Sequence, residues 1–284
     1  MCEQRIIKIS ESCYVDSDYE SAFGESGLTS IGAVFSFNAG RNLSKNNLAK
    51  YRARLQFEIN APPVTVFLKR YDEPPISVQL RNWLAARGRV SCGVLDVKAS
   101  SKLAAAGINT PKTLFYGEQW GALFEKRSFV ITEKIPNAES LERKLPDSFN
   151  KPDTVEKLRL RRSFIAELAV FIKGFHDTGY RHRDLYLSHL FYSDSRDFYL
   201  IDLSRVFRPF VRQKRFRIKD IAQLYYSAPA KYFSRTDRLR FYINYTGRNK
   251  LTGKDKAFIS KVVNKARRMA RHEIKHGREV PFQS

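Results

Sequence analysis

Apolar and polar side chains alternate most cleanly between Tyr51 and Ile59. Tyr51, Ala53, Leu55, Phe57 and Ile59 fall on one face, and Arg52, Arg54, Gln56 and Glu58 on the other. A period of two with one wet face predicts a half-buried antiparallel strand. Asn60–Pro63 supplies a turn, and Val64–Lys69 follows as the return strand, with Lys69 on the face of Thr65 and Phe67. Ala33–Phe37 reads as another short strand and Asn38–Asn42 as the turn after it. Thr113–Tyr116, Trp120–Glu125 and Ser128–Ile135 complete a small sheet, while 72–95 shows no clear period.

Elsewhere the period lengthens. Val94–Ala106 reads as a helix stopped by Gly107, with Pro111 shortly beyond. Val155, Leu158, Ile165, Leu168, Phe171, Ile172 and Phe175 recur at helical spacing, and Asp153 with Glu156 suggests a capping box ahead of them. A last helix carries Phe258, Val262, Ala266, Met269 and Ile274 on one face, with Lys261, Lys265, Arg268, Arg271 and Lys275 around the others. It either packs on the body of the protein or lies as a basic amphipathic helix at a membrane surface. The expected class is α+β: a small antiparallel-sheet part over residues 31–135 and a mainly helical part over 136–284. Residues 1–30, polar and rich in Ser, Glu and Gly, read as an irregular extension.

The candidate chemistry is concentrated in residues 176–205. His182-Arg183-Asp184 is followed by His189, five residues after the aspartate, and by Asp202 inside the apolar run Tyr199–Leu203. Leu190–Phe191 and Phe198–Ile201 are strand-like, with Ser193–Asp197 as their turn, so a hairpin would return Asp202 towards Asp184. This is the order of a kinase catalytic loop followed by its metal-binding aspartate. Either feature alone reads equally as a chance tripeptide or a strand cap; in series they point to phosphoryl transfer. That reaction needs a carboxylate to take a hydroxyl proton and charged groups to hold the phosphates. Asp184 fits the first role and Asp202 the second. His182 and His176 are expected to be structural, and Asp220 either caps a helix or braces the loop backbone.

HRDLYLSHLF followed by LIDLSRV resembles the bacterial lipopolysaccharide kinases of the Kdo/WaaP type. The likeness continues through Phe67–Tyr71, Ala106–Pro111, Ile131–Glu133 and Lys219–Leu224. It implies a bilobal, protein-kinase-like fold and ATP-dependent phosphorylation, with Mg2+, of a sugar of the lipopolysaccharide inner core, heptose or Kdo. On that resemblance Lys69 contacts the nucleotide phosphates and Asp96 is its acidic partner. Asp96 is one methylene shorter than the usual glutamate, and a plain charge at a helix N-terminus is the alternative. Glu133 and Ile135 would hold adenine through their backbone, and the single-glycine turn at 38–42 would cover the phosphates without a GxGxxG. His189 stands where general kinases carry asparagine. Imidazole is a poor ligand for a hard cation, so His189 either contacts the metal or orients Asp184 or a water.

Composition sharpens the choice of partner. The net charge is +22, and from Arg205 onward there are 22 Lys and Arg against 5 Asp and Glu. Such a surface suits a polyanion: nucleic acid, an anionic membrane or phosphorylated lipopolysaccharide. The resemblance favours the anionic glycolipid, with peripheral contact to an anionic membrane, and disfavours nucleic acid; the basic run Arg208–Lys219 would meet the acceptor. No run reaches the ~18 apolar residues of a membrane span, and the first residues lack a signal peptide's pattern. The expected location is cytoplasmic, peripheral at the inner membrane. Cys2, Cys13 and Cys92 read as free thiols. Two other readings stand: a kinase for a protein or another small molecule, and a non-catalytic basic binding module. The joint presence of Lys69, Asp184 and Asp202 opposes the module; the sparse glycines, Asp96 and His189 favour it.

Overall fold

The computed structural model describes residues 5–43, 48–60, 63–148 and 154–281. The chain divides into two compact units, one running to Ala105 and including Thr110–Pro136, the other formed by Ala106–Asn109 and the chain from Asn137.

The first unit is built on a seven-stranded antiparallel sheet. Its strands are β1 (Ile6–Ser10), β2 (Cys13–Asp16), β3 (Arg41–Asn42), β4 (Arg52–Ile59), β5 (Val64–Asp72), β6 (Thr113–Trp120) and β7 (Glu125–Glu133), in the order β1-β2-β6-β7-β5-β4-β3. Four helices accompany it: α1 (Glu20–Glu25), α2 (Ile31–Ser36), α3 (Ile76–Ala86) and α4 (Cys92–Ala105). The alternation in β4 delivers Leu55, Phe57 and Ile59 to a core that includes Val66, Leu68, Phe115, Phe129 and Ile131.

Four expectations are corrected here. Residues 6–25 are not an irregular extension, because β1 and β2 extend the sheet, with Cys13 opposite Gly117 and Val15 opposite Phe115. Two very short strands give no local period; β1 pairs with its neighbour β2, and β2 pairs in turn with β6, a hundred positions away. The expected strand Ala33–Phe37 is instead helical as far as Ser36, with Phe37 as the C-cap. A short apolar run suits either form, and the Ser30 hydroxyl settles it by accepting the Ala33 N–H at 3.2 Å as an N-cap. Asn38–Asn42 is not a hairpin turn, since Arg41 and Asn42 form β3 and the link to β4 spans 43–51, with 44–47 outside the described residues. Trp120–Glu125 is the β6–β7 hairpin turn, closed by Gly121 N–H to Phe124 O at 2.8 Å. The turn expected at Asn60–Pro63 falls partly outside the described residues, as do Cys2 and Asp153.

The second unit carries a three-stranded antiparallel sheet, order β10-β9-β8, made of β8 (Ala138–Ser140), β9 (Leu190–Ser193) and β10 (Phe198–Leu200). Its helices are α5 (Leu141–Ser148), α6 (Val155–Asp177), α7 (Gln213–Ser227), α8 (Arg235–Thr246) and α9 (Gly253–Lys275). The cap of α6 is Thr154, whose side chain accepts from the Lys157 N–H, and Val155 is exposed rather than part of the core. Helix α7 begins seven residues ahead of Asp220, so that aspartate is mid-helix and not a cap. Helix α9 buries Phe258, Val262 and Ala266 and shares a cluster with Tyr226 of α7, while Ile274 stays exposed. Cys13 and Cys92 are buried free thiols. Among the described residues no helix is long and apolar enough to cross a membrane.

Gly117 of β6 lies between Cys13 of β2 and Phe129 of β7. A Cβ there would lie 2.6 Å from the Phe129 ring and 2.8 Å from the Ser12 carbonyl oxygen. Gly117→Ala is therefore expected to destabilise the protein by about 1–3 kcal/mol through overpacking. Gly24→Ala, whose Cβ would meet nothing within 4 Å in helix α1, should be neutral or slightly stabilising. Urea midpoints followed by circular dichroism test the pair, and an unchanged midpoint for Gly117→Ala would rule out the close approach as a constraint.

Candidate active site

Predicted site residues fall into one cluster in each unit. In the first, Lys69 leaves the middle of β5, opposite Arg54 of β4 and Val130 of β7. Its ammonium lies 2.8 Å from the Asp96 carboxylate, both largely buried. The start of α4 is fastened to β7 by side chains: Cys92 N–H donates to Glu125 at 2.9 Å and Gly93 N–H to the Ser128 hydroxyl at 2.8 Å. A Cβ on Gly93 would sit 2.9 Å from the Phe129 carbonyl oxygen. Glycine thus lets the helix approach the sheet, which makes up the methylene that aspartate lacks. Burial raises the pKa of Glu125, and two donors, Ser128 and the Cys92 amide, oppose the rise.

Glu133 ends β7, and its N–H donates to Lys112 O at 2.9 Å. Its carboxyl is pushed up by burial and pulled down by Lys112. Ile135 lies two residues beyond the strand with its side chain buried.

In the second unit, one stripe of α7 holds the loop 181–189. Asp220, wholly buried, accepts the N–H groups of His182 at 2.9 Å and Arg183 at 2.8 Å. Gln223 accepts from Leu185 at 3.2 Å and Ser227 from Leu187 at 3.0 Å. These three residues recur at i, i+3 and i+7, which places them on one helix face. Lys219 completes the grip by donating to the Arg183 carbonyl at 2.5 Å. Arg183 needs it, because its backbone is left-handed, at φ 72°, a conformation that costs a non-glycine residue about 1–3 kcal/mol.

Asp184 is held by Arg205, one of whose guanidinium nitrogens lies 3.0 Å and 2.7 Å from the two carboxylate oxygens. His189 Nδ1 is 2.7 Å from the Asp184 carbonyl oxygen. A carbonyl can only accept, so Nδ1 carries a proton, and Nε2 faces Asp202 Oδ2, 4.0 Å away. Asp202 itself is left-handed at φ 55° and accepts the Ser204 hydroxyl at 3.1 Å. His182 packs and bonds as expected: it is fully buried, with Nε2 3.0 Å from Ile201 O. His176 bridges Tyr245 Oη at 2.8 Å and Asp220 at 3.3 Å.

The sequence reading missed Arg205, Gln223 and Ser227. Arg205 stands three residues after Asp202, but arginine is common in this chain and no spacing marks it. Gln223 and Ser227 could have been found by extending the helical period from Asp220.

Burial holds the imidazoles of His176 and His182 below their usual 6.5, in His176 against the pull of the Asp220 carboxylate. Below that value the unfolded chain takes up protons that the folded chain refuses, so stability falls as the pH is lowered. The urea midpoint is expected to be lower at pH 5.5 than at pH 7.5, with a slope of up to ~1.4 kcal/mol per pH unit for each histidine. His176→Gln should flatten that slope; an equally steep slope in the variant would place its origin elsewhere.

The chain resembles known proteins along most of its length. The model of the lipopolysaccharide kinase (Kdo/WaaP) family matches residues 88–245, which takes in Asp96, the loop, Asp202 and α7. The lipopolysaccharide core heptose(I) kinase WaaP of Escherichia coli strain K12 is 30% identical over 204 residues, 69% of this chain and 75% of that protein. The protein of the same name from Pseudomonas aeruginosa is 33% identical over 172 residues, 58% of this chain and 63% of that one. A solved structure of WaaP in complex with acyl carrier protein shares the fold, with a TM-score of 0.67 and 23% identity over 90% of this chain and 98% of that one. A family match over more than half the sequence, on a kinase-like α+β fold, makes this chain a phosphotransferase and a member of the lipopolysaccharide kinase (Kdo/WaaP) family.

Proposed function

We propose that the protein transfers the γ-phosphate of ATP to a sugar hydroxyl of the lipopolysaccharide inner core, a heptose as in the named relatives. The carrying observation is the loop geometry: Asp184 follows two residues whose amides are fixed by the buried Asp220. A base so placed needs no reorganisation when the acceptor hydroxyl arrives, and positioning supplies much of the rate in phosphoryl transfer.

Each side chain then has a part. Asp184 takes the hydroxyl proton, and Arg205 orients its carboxylate. His189 is a positioning residue that anchors the Asp184 carbonyl. Lys69, set by Asp96, binds the nucleotide phosphates, and the backbone of Glu133 and Ile135 binds adenine. The donor set suits Mg2+ in a sparse site. Among the described residues no group of three or more His, Cys, Asp or Glu converges, and Mg2+ is commonly held by one or two carboxylates, with phosphate and water completing its shell. Asp202 would be that carboxylate, and the bound cation would screen the charge developing on the transferred group. His189 Nε2 faces Asp202 at 4.0 Å, so His189 is a secondary candidate ligand.

The excess of cations after Arg205 supports peripheral attachment to the anionic cytoplasmic face of the inner membrane, where such an acceptor would be met. The solved relative was captured with acyl carrier protein, and an apolar cavity of about 230 Å3 in the second unit, lined by Leu168, Leu187, Leu224, Phe233 and Val262, makes that protein a candidate partner here.

The test is Mg2+-dependent transfer of labelled phosphate from ATP to dephosphorylated lipopolysaccharide core. Asp184→Asn should lower kcat by ~10²–10⁴, the usual worth of a positioned base, with ATP binding retained. Lys69→Met should instead weaken ATP binding. Wild-type protein that binds ATP and leaves the core unlabelled would redirect the assignment to another acceptor, and failure to bind ATP would favour a non-catalytic module.

A further inference from the structure

A patch of charge lies between α7 and α9 and meets the loop's clamp at Lys219. The two helices bound a cleft of about 530 Å3 whose lining includes Arg215, Lys219, Lys261, Asn264, Lys265 and Arg268, and no carboxylate. Arg215 and Lys219 are one helical turn apart on α7; Lys261, Lys265 and Arg268 follow at i, i+4 and i+7 on α9, so each helix offers a cationic stripe. Like charges at that spacing weaken a helix, so the stripes do not serve stability. Several cations elsewhere in this unit are paired, among them Arg161 with Asp237, Arg248 with Asp255 and Arg278 with Glu273.

Two further observations tie the cleft to the reaction. Lys219 lines it while donating to the Arg183 carbonyl, one residue before Asp184. Burial presses the Lys219 pKa below its usual 10.5, with Arg205 and Arg183 adding to the effect and Asp184 and Asp220 opposing it. This ammonium would gain from an anion. Lys265 and Arg268 also line an adjoining hollow with Tyr186, Tyr226 and Glu273, the last paired with Arg278, and Tyr186 is two residues after Asp184. Cations at one end and aromatic faces towards the loop suit a sugar that bears an anionic group.

We infer that the α7–α9 cleft is the acceptor's anion subsite, taking a phosphomonoester carried on the glycolipid, and that Lys219 passes its occupancy to the catalytic loop by serving both the anion and the Arg183 carbonyl. The inference rests on the proposed glycolipid acceptor. Two guanidinium groups favour a phosphomonoester, whose oxygens they can meet in pairs. Lys219 is a positioning residue, and an acceptor lacking the anion is phosphorylated more slowly because the loop is less firmly set.

The full-length protein tests this with two charge-matched double variants, Lys261→Glu/Lys265→Glu in the cleft and Lys250→Glu/Lys254→Glu on the exposed surface around the start of α9. Acceptor KM, ATP KM and calorimetric binding of glucose 1-phosphate are read for each, with phosphatidic acid in phosphatidylcholine vesicles as a membrane-borne phosphomonoester. The cleft variant should raise acceptor KM by roughly tenfold or more, equivalent to about 1.4 kcal/mol, leave ATP KM within about twofold, and lose glucose 1-phosphate binding. The surface variant should do none of these. Lys219→Met, checked for folding by circular dichroism, should lower kcat as well, which a lysine serving the cleft alone would not.

If the wild type labels the core and the cleft variant keeps its acceptor KM, the subsite is wrong and the proposed function stands. If the wild type binds glucose 1-phosphate through the cleft and never labels the core, the anion site stands and the acceptor is wrong. Equal loss of vesicle binding in both variants, without glucose 1-phosphate binding, would reduce the cleft to diffuse membrane attraction and overturn the inference. Binding of an acidic protein with acceptor KM unmoved would overturn it too.

Discussion

Burying a carboxylate costs several kcal/mol unless donors replace the water it loses, and Asp220 is fully buried. Its donors are the amides of His182 and Arg183 and the imidazole of His176. The dependence is mutual. Without the loop the carboxylate would be stranded; without the carboxylate the left-handed Arg183 would have nothing to hold its amide. The positions of Asp184, of Arg205 through its ion pair, and of His189 through the Asp184 carbonyl all follow from that exchange.

The first unit solves a similar problem with different means. Lys69 must be placed on a strand and kept charged near the interior, and Asp96 reaches it from a helix. The helix is set by β7 itself, through Glu125 and Ser128 acting on its first amides, and by a glycine that removes the Cβ standing between helix and sheet.

What could be read from the residues was local. The alternation of β4 and β5, the helix stopped at Gly107 and the order His182-Arg183-Asp184, His189, Asp202 each declare themselves within a window of about twenty residues. The strands before residue 20 do not, because β2 acquires its meaning only from β6, across a hundred residues and through Gly117. Residues 31–36 misled because one hydroxyl, that of Ser30, decides between helix and strand. Asp96 read as a doubtful partner for Lys69, because side-chain length was visible in the sequence and the approach of α4 was not. Arg205 was hidden by the abundance of arginine around it.

The clamp from α7 takes hold of the loop through main-chain amides, at residues 182, 183, 185 and 187. A grip on the peptide backbone is indifferent to what the loop's outward side chains are. A half-exposed position such as Arg183 can therefore change its side chain in the course of evolution while the hold on its amide and carbonyl persists. The scaffold and the choice of acceptor can thus drift on separate schedules.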